Sequence, residues 1–95
     1  MIHILARITV KPESATVARD LLITLLNESR KEAGCLEYQL LQRPDARHVF
    51  QTVERWADQA SIDAHMSGPN VAAAIAAAGP HFAAPPEILA FDKLR

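Results

Sequence analysis

Four histidines, one tryptophan, one tyrosine and one cysteine carry most of the chemistry open to this chain. Histidine is the side chain that exchanges a proton near neutral pH, so His3, His48, His65 and His81 are the candidate bases. His65 follows Ala60 and Ala64 on a predicted helix, just before Gly68-Pro69, and reads as a base or as a packing residue at the helix end. His81 lies in a loop bracketed by glycine and prolines, as the lining of a pocket mouth or as a solvated residue. His3 and His48 fall near strand starts and read as structural or exposed. Tyr38 carries a phenol that can donate to a substrate oxygen; its other reading is a core or interface residue with the hydroxyl at the rim. Trp56 offers a flat wall for an aromatic ring, or simply plugs the core. Asn70 can donate an amide to an oxyanion or start a helix after Pro69. Arg7 stands on an alternating strand and needs a partner, either Glu54 on a neighbouring strand or an anionic substrate. Phe50 shares a strand face with Trp56 and joins Trp56, Arg7 and His81 as substrate-contacting candidates.

Other chemistry is absent from the pattern. There is no G-x-G-x-x-G or P-loop, so no nucleotide site is indicated. The histidines have no close metal-type spacing and a single cysteine joins them, so no metal is expected. Cys35 beside Gly34 reads as a small buried hydrophobe. Neither Ser29 nor Ser61 has a motif that would make it a nucleophile.

The elements that must position these groups follow from the periodicity. Ile2, Ile4, Ala6, Ile8 and Val10 alternate with His3, Leu5, Arg7 and Thr9, which predicts a strand over 2–10. Pro12 suits a helix start, and a helical period runs from about Glu13 to Ala33, with Val17, Leu21, Leu25 and Ala18, Leu22, Leu26 on adjoining stripes. Arg30 and Lys31 suit its C-terminal end, and Gly34 reads as its C′ residue. Residues 35–42 alternate again, with Leu36, Tyr38 and Leu40 on one face. Arg43-Pro44-Asp45-Ala46 is a turn, and a third strand follows over 47–56, making a hairpin. Asp58 caps a helix running to about Met66. An alanine-rich helix covers 70–78 until Gly79-Pro80, and a last strand covers 87–93.

The order β-α-β-β-α(α)-β is the ferredoxin-like split βαβ arrangement, an α+β fold with a four-stranded antiparallel sheet and helices on one face. The length of 95 residues implies one domain over 1–95. Hydrophobic residues make up 49% and charged residues 22%, with mean hydropathy +0.01, which excludes a disordered polyampholyte. A net charge of −1 leaves no electrostatic footprint for nucleic acid or anionic lipid. The longest apolar block, Val71 to Ala78, is too short for a bilayer, which needs ~20 residues. No signal peptide is read at the N-terminus, and the lone cysteine favours a reducing compartment, so a cytoplasmic location is expected. Every strand carries apolar residues on both faces, whereas a sheet wetted on one side should read apolar-in and polar-out. The chain has helix for one face only, so a second copy of itself is the expected cover for the other.

The motif Gly34-Cys35-Leu36-Glu37-Tyr38-Gln39-Leu40 is followed by Phe50, Val53-Glu54-Arg55-Trp56, Asp58-Gln59-Ala60 and Ala64-His65. This pattern resembles the antibiotic biosynthesis monooxygenase (ABM) family, and within it the short quinol monooxygenase type. The resemblance implies a dimeric α+β barrel of two ferredoxin-like sheets. It also implies oxygenation of a small aromatic or quinol substrate by O2, with no flavin, haem or metal cofactor. The haem-degrading relatives carry an Asn on strand one and a Trp and a His on the helices, where this chain has Ala6, His65 and Ile75, which disfavours that activity. Triplet O2 reacts slowly with singlet organic molecules, so the substrate itself must supply an electron, which an oxyanion does far better than its neutral acid. The protein then needs a base, an oxyanion donor and a dry pocket. His65, at the family's helix-histidine position, is the expected base, with Tyr38 and Asn70 as the other catalytic candidates. Its position at a helix end implies that removing it leaves the fold intact. The same groups would serve an isomerase or other proton-transfer enzyme, and a third reading is a non-catalytic binder of small hydrophobic ligands.

Overall fold

In the computed structural model, which describes residues 1–95, the alternating N-terminal residues form strand β1, Ile2–Thr9. Its inward residues Ile4, Ala6 and Ile8 are buried, while Arg7 on the other face is exposed. Lys11 leads into a 3-10 turn at Pro12–Ser14, and helix α1 spans Ala15–Ser29. The helix is shorter at both ends than the periodicity predicts. Pro12 opens the tighter turn instead of the α-helix. At the other end the chain tightens to bonds three residues apart, Lys31 N–H to Glu28 and Glu32 N–H to Ser29. Only Ala18, Leu22 and Ser29 of α1 are fully buried, and Val17 faces out.

Gly34 is not a left-handed helix cap, because no glycine here has positive φ. A side chain at this position would collide with Ser61, so the residue is glycine for close approach. Its carbonyl also accepts the Ala57 N–H at 2.9 Å. Arg30 likewise does more than complement a helix dipole. Its guanidinium donates twice to the Tyr38 carbonyl, at 3.0 and 2.8 Å, and ties the end of α1 to the next strand.

Strand β2, Cys35–Gln42, and strand β3, Val49–Trp56, form the expected hairpin, with β3 starting two residues later than predicted. A β-bulge between Cys35 and Glu37 lifts Leu36 out of the alternation and leaves it exposed. Beyond the bulge, Tyr38 stands opposite Glu54 and Leu40 opposite Thr52. Helix α2, Gln59–Met66, is capped by Asp58, whose carboxylate accepts from the backbone N–H and the hydroxyl of Ser61. Those two bonds hold the Asp58 carboxyl below its ordinary range. Helix α3, Pro69–Ala78, starts with its proline in the first turn, and strand β4, Glu87–Asp92, follows a second 3-10 turn at Gly79–His81.

The sheet order is β2-β3-β1-β4, with all neighbours antiparallel. This is the ferredoxin-like α+β topology. The core lies between one sheet face and the helices in two clusters. One holds Ile8, Val10, Ala18, Leu22 and Phe50, the other Ile4, Tyr38, Trp56 and Ile62. The opposite face carries Leu5, Val49 and Val53 half-buried and Leu41, Leu89 and Phe91 exposed. No helix is long and apolar enough to cross a membrane.

Candidate active site

Strand β3 turns Phe50, Thr52, Glu54 and Trp56 inward in strict alternation, and all four are buried. The last three form a hydrogen-bonded row. The Ala6 N–H donates to Thr52 Oγ1 at 3.2 Å, and the Thr52 hydroxyl donates to Glu54 Oε2 at 2.6 Å. The indole N–H of Trp56 donates to Glu54 Oε1 at 2.9 Å. Both carboxylate oxygens therefore accept a bond, and the indole plane is fixed by one of them. On that plane lies the imidazole of His65, ring centroids 4.5 Å apart and tilted by 35°. The Tyr38 ring meets the same imidazole edge-on at 6.2 Å.

Behind His65, the Nδ1 nitrogen is 2.8 Å from Glu32 Oε2, and the Asn70 amide donates to that oxygen at 3.1 Å. The His65 side chain is 5% exposed and that of Glu32 23%, so the pair runs from the interior to the surface. The carboxylate holds the Nδ1 proton and fixes the tautomer, which leaves Nε2 as the acceptor. Among fully enclosed side-chain polar atoms only His3 Nε2 and Ser29 Oγ lack a partner. His65 Nε2 and the Tyr38 hydroxyl have no partner within the protein either, and both residues line one cavity.

That cavity has a volume of about 120 Å³ and lies between sheet and helices. Its walls are Ile4, Ala6, Ile8, Leu22, Ile62 and Val71. Met66, Ile75 and Ile88 line it and are exposed, so they form its rim. The polar groups are confined to Tyr38, Thr52, Glu54, Trp56 and His65. Burial, followed by the charge of Glu54, pushes the Tyr38 phenol far above its ordinary range. The phenol is thus a fixed donor. Because the unfolded chain ionises near the reference value of ~10 and the folded one does not, stability should fall as pH rises beyond that value. Tyr38 is the only tyrosine, so its ultraviolet titration reads this directly. The tyrosinate band is expected only as the protein unfolds; a band rising at pH ~10 in folded protein would contradict it.

Of the residues singled out from sequence, His65, Tyr38 and Trp56 come together around the cavity. Asn70 stands behind it, holding Glu32 and reaching the Glu28 carbonyl at 3.4 Å. Phe50 is 1% exposed in the neighbouring core cluster and does not line the cavity. His81 is outside it as well, with Nδ1 at 2.9 Å from Ser14 Oγ; its neighbour Phe82 lines the wall instead. Arg7 pairs with Glu87 at 3.5 Å on the opposite sheet face, not with Glu54, because its odd position in β1 points it away from the helices.

Sequence reasoning missed the inward carboxylate Glu54, which the alternation of Thr52 and Trp56 could have exposed. It also missed Glu32, whose pairing with His65 spans 33 residues and leaves no local signal.

The antibiotic biosynthesis monooxygenase model matches residues 1–77, and the chain belongs to that family. The fold closely follows several solved structures. One is an antibiotic biosynthesis monooxygenase at 23% identity, with a TM-score of 0.94 over 100% of both chains. Another is PA3566 from Pseudomonas aeruginosa, at 28% identity and TM-score 0.91 over 99% of this chain and 94% of that one. A third is Rv0793 from Mycobacterium tuberculosis, at 23% identity and TM-score 0.90 over 99% of this chain and 95% of that one. No curated protein matches the sequence.

Proposed function

We propose that this protein is a cofactor-independent monooxygenase that oxidises a small aromatic or quinol compound with O2. The observation that carries the reading is that His65 and Tyr38, whose Nε2 and hydroxyl have no partner within the protein, meet at the lining of one apolar cavity. In the proposed reaction His65 Nε2 takes the proton of a substrate hydroxyl. Glu32 stabilises the resulting imidazolium through Nδ1. The Tyr38 phenol donates to the substrate oxyanion, which then reduces O2. One oxygen atom enters the substrate and the other leaves as water; the substrate supplies all four electrons, as when a hydroquinone becomes a hydroxyquinone. The apolar walls keep bulk water from the reduced oxygen species.

The test is oxygen uptake with a panel of hydroquinones and dihydroxynaphthalenes in metal-free buffer. Saturable uptake is expected. Turnover without oxygen would favour the isomerase, and tight binding without turnover the non-catalytic binder.

The protein is further proposed to act in the cytoplasm as a homodimer. Apolar side chains on the helix-free sheet face support the dimer, since stable association buries about 800 Å² per partner. Light scattering should give about twice 10.4 kDa. A monomer that melts cooperatively at micromolar concentration would overturn the barrel arrangement.

A further inference from the structure

Glu54 has no part in the proton transfer just described, yet it is 4% exposed and lines the cavity. It forms no ion pair, and no lysine or arginine lines the cavity. An ionised carboxylate offers about four acceptor positions. Thr52 and Trp56 fill one on each oxygen, so each oxygen keeps one free, and the protein supplies no further donor. The charge of this carboxylate acts on Tyr38, its cross-strand neighbour in the cavity lining. After burial itself, it is the largest influence pushing the Tyr38 phenol upward. The cavity of about 120 Å³ is close in size to an engineered apolar cavity of roughly 150 Å³ that admits benzene. One aromatic ring fits inside, and a second can extend past the rim of Met66, Ile75 and Ile88.

We propose that Glu54 is the specificity-determining residue of this cavity, selecting neutral aromatic hydroxyl compounds and rejecting their anionic analogues. The proposal rests on the reading of the cavity as an aromatic-ligand site. A ligand hydroxyl directed at the polar end supplies the donor that Glu54 lacks. A carboxylate or phosphate placed there meets a like charge in a low-dielectric site with no compensating cation. An oxyanion formed inside the cavity differs, because the proton it loses stays beside it on His65 and the net charge is unchanged; an analogue that enters as an anion brings no such proton.

The test is titration calorimetry under oxygen-free conditions, where no oxygenation can occur, with three probes of one shape: 1-naphthol, 1-methoxynaphthalene and 1-naphthoate. The neutral naphthol is expected to bind most tightly. The methyl ether, which has no donor, should bind about tenfold more weakly. Naphthoate should bind at least about 100-fold more weakly than naphthol. In Glu54→Gln, whose amide can still accept from Trp56 and donate to Thr52, the naphthoate penalty should shrink to about tenfold or less. Equal binding of naphthol and naphthoate by the wild-type protein would overturn the proposal, as would no binding of any probe or a penalty unchanged in Glu54→Gln. Should Glu54→Gln fail to fold, Glu54→Met, which keeps most of the volume without the charge, is read by the same ratio of naphthol to naphthoate. Calorimetry requires no turnover, so the outcomes separate. Charge selectivity without oxygen uptake retires the monooxygenase and keeps the role of Glu54. Oxygen uptake without charge selectivity does the reverse.

Discussion

Replacing His65 by alanine is expected to lower kcat by roughly 10²–10⁴-fold, the range for loss of a general base. The ring has the geometry the role requires, with Nδ1 fixed by Glu32 at 2.8 Å and Nε2 left for the cavity. Contrary to the expectation from its place at a helix end, the fold should not be indifferent to the change. His65 is 4% exposed, packed on Trp56 and bonded to Glu32. Its loss opens a void and unpairs a half-buried carboxylate, which should cost about 1–3 kcal/mol. Turnover must therefore be measured per folded molecule, on the preparation used for the melt. Two further results distinguish a base from a packing residue. Added imidazole should enter the vacated space and restore part of the rate in His65→Ala. Glu32→Gln, which keeps the shape but removes the charge behind the ring, should lower kcat more than it raises KM. A folded His65→Ala protein with unchanged kcat would end the assignment, and Tyr38 would be the next candidate.

The second large effect concerns stability. Trp56→Ala should cost about 3–5 kcal/mol, the range for truncating a buried aromatic residue. Trp56 is 1% exposed and among the largest fully buried side chains. Its removal would take away the surface on which His65 rests and one of the two donors to Glu54. For a chain this short each kcal/mol is worth about 4–8 °C in the melting midpoint, so the variant should be largely unfolded under conditions where the wild type is native. Trp56→Phe separates the two contributions. It keeps most of the packing but deletes the indole N–H, so it should lose about 1–3 kcal/mol and bind aromatic ligands more weakly. Denaturant unfolding followed by circular dichroism measures both. An alanine variant within about 1 kcal/mol of the wild type would be below the truncation range and would show that Trp56 is not the keystone of this cluster.

The fold was legible in the chain because its signals are local. Alternation of Ile2, Ile4, Ala6 and Ile8, the helical stripe Ala18-Leu22, the Asp58 cap and the Pro44 turn each act over a few residues. Those periods determine which elements exist and which face of each is apolar, and the order of elements then selects the ferredoxin-like topology. His65, Tyr38 and Trp56 were legible for a different reason: aromatic and imidazole side chains are scarce here, and each lies on an inward face. What the sequence alone could not decide is the pairing of groups distant along the chain. The bulge between Cys35 and Glu37 takes Leu36 off the inward face that Tyr38 keeps, and only the register against β3 places Tyr38 opposite Glu54. Glu32 finds His65 because the turn that follows α1 packs against α2, with Gly34 against Ser61 to allow the approach. Arg7, which looked like a partner for Glu54, is separated from it by the sheet itself, since successive residues of a strand point to opposite faces. A charge's partner is a matter of tertiary distance, and residue type and local period carry no record of that distance.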